Sequence, residues 1–187
     1  MFGRRGPQAA GESRVLVCTL DTCFGAQLEA DASVYSCHYK RVDVAVYQSI
    51  GELVKAVDLS YDIVHMFTRL APGGLLVDPE GSILGSDLIA KCCEKDVKVL
   101  WIASENKSDD YIKGFGAAGK PLNLIMTISR NGANFEGFLE GLLSRVSHGS
   151  TLPSAWAAMA PQLPGSRQQA LPSCIFFAGR PDARLPG

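Results

Sequence analysis

The chain has 187 residues, 47% of them apolar, and its 18 basic side chains stand against 19 acidic ones for a formal charge of −1. That length suits one domain with a single core. The balanced charge excludes the basic footprint of a nucleic-acid or anionic-membrane binder, and no apolar stretch is long enough to span a bilayer.

Residues 1 to 12 and 181 to 187 are rich in Gly, Pro, Arg and Ala without periodicity, so both are expected to be flexible tails around one domain at 13 to 180. The start, MFGRRGPQAAG, has a basic pair with no apolar run behind it, unlike a secretory signal. Continuous β-rich apolar runs follow at 14 to 20 (RVLVCTL), 42 to 48 (VDVAVYQ), 61 to 67 (YDIVHMF), 97 to 103 (VKVLWIA), 122 to 128 (LNLIMTI) and 173 to 179 (SCIFFAG). Such runs suit strands buried on both faces of a parallel sheet.

Helical periods separate most of these runs. At 49 to 58 Ser49 and Glu52 form a capping-box pattern; 86 to 96 puts Leu88, Ile89, Cys92 and Cys93 on one face; 134 to 146 does the same with Phe135, Phe138, Leu139 and Leu142. The stretch from 21 to 41 has no clear period. The alternation predicts an α/β three-layer sandwich with a mostly parallel six-stranded sheet. In such sheets ligands gather beyond the carboxyl ends of the strands, which selects the segments from His65 to Gly74 and from Ala103 to Asp110.

Several motifs have plainer readings. GFGAAG at 114 to 119 fits a dinucleotide fingerprint by letter, but it follows a helical stretch and precedes a strand, the reverse of what phosphate binding needs. NKS at 106 to 108 reads as a loop before a helix cap. His38, His65 and His148 lack companions at metal-ligand spacing, so neither a metal nor another cofactor is expected. The six cysteines, at 18, 23, 37, 92, 93 and 174, include no C-x-x-C pair and read as reduced thiols of a cytoplasmic protein. Trp101 and Trp156 read as core anchors.

The order YDIVHMFTR, GGLLVDPEGSILGSDLI, VKVLWIASEN, FEGFLEGLLSRVSHGSTLPSAWAAMAPQ and LPSCIFFAG resembles a divergent CHAT domain, a caspase-like cysteine peptidase module often found beside TPR repeats. The resemblance spans about residues 61 to 179 and implies a caspase-like fold with a short hairpin and the helix following it at 75 to 88. It puts His65 on a first, structural histidine, Arg69 where the catalytic histidine would stand, and Ser104, followed by Glu105, where the nucleophilic cysteine would stand. Arginine stays protonated and cannot act as the base, and serine without a base is a poor nucleophile. The resemblance therefore implies a caspase-like domain without peptidase activity, serving as a protein interaction or scaffold module. Its partner would be a TPR-type protein, or itself through the apolar edge SCIFFAGR.

Two alternatives stand beside this reading. One is an active hydrolase in which His65, oriented by Asp62 or Glu105, activates Ser104 or a cysteine such as Cys18 or Cys23. The other is a nucleotide- or anion-binding α/β domain. Without catalysis, Arg69, Ser104 and Glu105 form the candidate binding residues: the guanidinium and hydroxyl can hold a carboxylate or phosphate, unless Arg69 pairs internally with Glu105 or Asp78.

Overall fold

A computed structural model describes residues 12–78, 81–104, 121–127, 134–160 and 174–187. The six apolar runs become the six strands of one sheet: β1 (Arg14–Thr19), β2 (Arg41–Val46), β3 (Ile63–Phe67), β7 (Val99–Ala103), β8 (Asn123–Thr127) and β9 (Cys174–Ala178). Their order is β2-β1-β3-β7-β8-β9. All neighbours are parallel except β8 and β9, which run antiparallel. The α/β sandwich with a mostly parallel six-stranded sheet is thus the observed architecture.

Alternation along the strands splits the core into two layers. Val15, Val17, Ile63, Phe67, Val99, Trp101 and Ile125 face one side, where they meet α1 (Gly25–Ser36), α4 (Asn134–Ser147) and α5 (Leu152–Met159). Leu16, Cys18, Val64, Met66, Leu100 and Ile102 face the other, against α2 (Ile50–Val57) and α3 (Gly85–Glu94). Trp101 is fully buried, whereas Trp156 is only partly so and packs edge-on against Phe138.

Beyond β3 the chain makes a small second sheet of β4 (Leu70–Ala71), β5 (Leu75–Asp78) and β6 (Gly81–Leu84). Gly73 and Gly74, with φ of 83° and 77°, close the turn between β4 and β5 in the left-handed region open to glycine. The hairpin is tied to α2 by Asp78, whose carboxylate accepts from the amide of Ile50 at 2.6 Å and from that of Gly81 at 2.8 Å. At the same helix end Ser49 accepts from the Glu52 amide, as the capping-box pattern predicts, while the Glu52 carboxylate returns to the amide of Gln48, one residue before the cap.

The stretch 21 to 41 is a 3-10 turn at Thr22–Phe24, the helix α1 and the start of β2; Asp21 caps the turn by accepting from the Cys23 amide. Strand β2, read as buried on both faces, is an end strand with Val44 51% and Val46 43% exposed. Residues 181 to 187, for which a flexible tail is expected, lie against the domain: Ala183 and Leu185 are buried and the Ser13 amide donates to the Pro186 carbonyl. The other expected tail lies outside the described residues up to position 11.

Candidate functional site

Three parallel strands, β2, β1 and β3, end side by side. Chain order reverses between β1 and β3, which opens a crevice at their carboxyl ends. A cavity of about 320 Å³ lies there. Asp21 and Thr22 enter it from the segment after β1, Tyr47 and Gln48 from after β2, and Thr68 and Arg69 from after β3. Leu20, Val46 and Val77 supply its apolar wall.

Arg69 is the most exposed of the charged groups here, its side chain 72% accessible. It turns toward β1: Nε lies 3.4 Å from Asp21 Oδ2, and Nη2 donates to Cys23 Sγ at 3.3 Å. The expected pairing with Asp78 does not form, because that carboxylate is engaged by the amides of Ile50 and Gly81. Asp21 is held below the usual carboxylate range, first by the backbone and side-chain hydrogen bonds of Cys23 and less by Arg69. The Cys23 thiol moves the other way. Desolvation and then Asp21 raise it, outweighing the opposing pull of Arg69.

Ser104 continues the sheet ladder one residue past β7, its amide donating to the Thr127 carbonyl at 3.1 Å, and it is 5% exposed. It does not line the cavity, so the structure separates it from Arg69 as a joint binding surface. Glu105, the sequon-like NKS and GFGAAG lie outside the described residues.

His65 sits mid-strand in β3 with no solvent exposure, inside the layer beneath α1. Its ring stacks on Phe67 and Trp101, each at 4.9 Å between centroids. Nδ1 lies 3.2 Å from the Tyr35 hydroxyl and Nε2 lies 3.5 Å from Asp31 Oδ2. Both partners come from α1 and both are fully buried. Burial, with the Asp31 charge next, pushes the Tyr35 phenol well above its ordinary range, so it remains a neutral hydroxyl.

The proposed partners of His65 are elsewhere. In register His65 faces Trp101, and Ser104 is three residues farther along, about 10 Å at the rise of a strand. Cys18 faces the opposite helix layer, level with Met66, and burial pushes its thiol up. Asp62 lies at the other end of the strand, where it accepts from the Arg14 amide and pairs with Lys98. Asp31 was not foreseen, nor was Asp21; the Asp-x-Cys spacing of an Asx-type turn after β1 was the available signal for the latter.

Among the described residues no group of three or more His, Cys, Asp or Glu side chains is placed to hold a metal ion, and no helix is long and apolar enough to cross a membrane. No protein-family model and no curated protein matches the chain. Among solved structures, the structure of pro-Sf-caspase-1 superposes with a TM-score of 0.62 at 11% identity, covering 99% of each chain. The chain has a caspase-like fold. At that identity the likeness concerns the fold, so what this caspase-like domain does must be argued from its own side chains. They present, at the carboxyl ends of β1, β2 and β3, a charge-balanced open cavity with a guanidinium at its rim.

Proposed function

We propose that this caspase-like domain, a divergent relative of CHAT domains, binds a protein partner and carries out no peptide hydrolysis. The observation that carries this reading is the guanidinium of Arg69 in the segment after β3, engaged with Asp21 and Cys23, while the imidazole of the same strand is enclosed between Phe67 and Trp101. A cysteine or serine peptidase needs an imidazole within hydrogen-bond reach of its nucleophile and open to substrate. His65 meets neither need with respect to Ser104, Cys18 or Cys23. The cytoplasm is the proposed compartment, supported by six free cysteines, two of them exposed. A TPR-type protein is the proposed partner, with a second copy joined through β9 as the alternative; β9 ends the sheet and leaves Phe177 41% exposed.

The test is turnover. Purified full-length protein incubated with pooled fluorogenic peptides should release no fluorophore above a buffer control, and Ser104→Ala and Cys23→Ser should change nothing. Turnover that disappears in either variant, or in His65→Gln with the fold intact by circular dichroism, would establish a peptidase and end this reading.

A further inference from the structure

The corner where β2 meets the cavity combines three features. As an end strand β2 pairs with β1 alone, so the backbone groups along its other edge face no strand among the described residues. Folded proteins usually blunt such an edge with a bulge, a proline or free charge. The segment Arg41–Val46 has neither bulge nor proline; its Asp43 is engaged by Arg14 and Tyr61, and its other charge, Arg41, lies at the amino end, away from the cavity, 4.0 Å from Glu12, which leaves the carboxyl half of the edge without a charge. Val44 and Val46 stand 51% and 43% exposed on it, and Val77, 48% exposed, shares a cavity wall with Val46.

The third feature is charge. Arg69 and Asp21 are the charged members of the cavity lining and balance each other. Arg69 spends Nε on Asp21 and Nη2 on Cys23, and Nη1 has no partner among the described residues. Donors on Nη1 and Nη2 remain for an incoming anion, with the Thr22, Tyr47 and Gln48 side chains lining the same space. One carboxylate takes the net charge of the lining to −1. A phosphate dianion would take it to −2 beside the Asp21 carboxylate, so mutual repulsion favours the single charge.

We infer that this corner receives an extended segment of a protein partner, added to the free edge of β2, with an aliphatic side chain between Val46 and Val77 and a carboxylate on Arg69. Main-chain hydrogen bonds to the strand edge supply attachment, and the apolar and acidic positions supply selectivity. The inference deepens the reading of the domain as a binding module and remains separable from it: a peptide that binds and is then cut would sustain the site and defeat the non-catalytic reading.

The probes are fluorescein-labelled hexapeptides of alternating valine and threonine, ending in aspartate, asparagine, lysine or phosphoserine, titrated with the full-length chain by fluorescence anisotropy. The aspartate peptide should bind with a dissociation constant below about 1 mM and about tenfold tighter than the asparagine peptide. Arg69→Gln should erase that difference, Val46→Lys should weaken every peptide, and Leu59→Lys, at an exposed position outside the cavity, should change nothing. N-methylation at alternate peptide bonds should abolish binding. Absence of binding by all four peptides, indifference to Val46→Lys, or tightest binding by phosphoserine overturns the inference. Acetate or succinate giving the same thermal stabilisation as the aspartate peptide also overturns it, since the ligand would then be a free carboxylate.

Discussion

Asp31 and His65 face each other at 3.5 Å inside the layer between α1 and the sheet, and neither is exposed to solvent. The pair joins a helix to the middle strand across 34 positions of chain, with the Tyr35 hydroxyl on the other ring nitrogen. Removing one member of a buried pair takes away part of what compensates the other in a low-dielectric site. Asp31→Leu should therefore cost about 3–5 kcal/mol, which for a chain of this size lowers the melting temperature by about 6–20 °C. The double variant Asp31→Leu with His65→Phe should lose much less than the sum of the single changes. Thermal denaturation of the four proteins in one double-mutant cycle measures it; additive losses would show that the two side chains do not interact.

That pair also explains which parts of the fold are legible in the sequence. Strands β1, β3, β7 and β8 are readable because burial on both faces leaves an unbroken apolar run, and α2 is readable from Ser49 and Glu52. Helix α1 is not. Its core-facing positions are Leu28, Asp31, Ala32 and Tyr35, so a carboxylate interrupts the apolar stripe, and its partner His65 lies on a different element. Strand β2 has the opposite problem: Val42, Val44 and Val46 look like core, but sheet order, which local pattern does not encode, puts them on an end strand. The candidate site was half legible for a similar reason. The segment holding Arg69 follows from strand ends in an α/β sheet, whereas its engagement with Asp21 and Cys23 depends on β1 lying next to β3.

Cys23 reports on that engagement. Asp21 holds its thiol up and Arg69 pulls it down. Asp21→Asn should lower the thiol and speed its alkylation by iodoacetamide at pH 7.5, because the thiolate is the nucleophile. Arg69→Gln should slow it. Mass-spectrometric time courses on the Cys23 peptide measure both rates, with exposed Cys37 as the internal reference. Equal rates in all three proteins would mean that neither charge acts on the sulfur.

On β2 itself, Asp43 gives a pH signature. The Tyr61 hydroxyl and then Arg14 hold its carboxyl below the ordinary value of 3.8. A folded-state value lower than the unfolded one means stability that is present above the unfolded value and lost as pH falls through the folded one. The melting temperature of the parent protein should thus exceed that of Asp43→Asn by a constant margin from about pH 8 to pH 5, and the margin should shrink below about pH 4. The margin will be small, since the Asp43 side chain is 48% exposed. A margin that grows on acidification would contradict the sign.

The amino end of α2 closes the cavity from the hairpin side, and two different carboxylates serve it. Glu52 reaches back from the helix's own first turn to the Gln48 amide, while Asp78 reaches across from β5 to the amide of Ile50. Ser49→Ala removes a local cap and should cost about 1 kcal/mol. Asp78→Ala removes a cap and a tertiary tie together, since the same side chain also holds the Gly81 amide in the hairpin. It should release the hairpin as well as the helix end. Hydrogen exchange separates the two effects: Ser49→Ala should speed exchange in the first turn of α2 alone, and Asp78→Ala should speed it there and at Gly81. Because Val77 neighbours Asp78 and lines the cavity, Asp78→Ala should also weaken the aspartate peptide, whereas Ser49→Ala should not. Matching exchange profiles in the two variants would mean that the hairpin is held without this carboxylate.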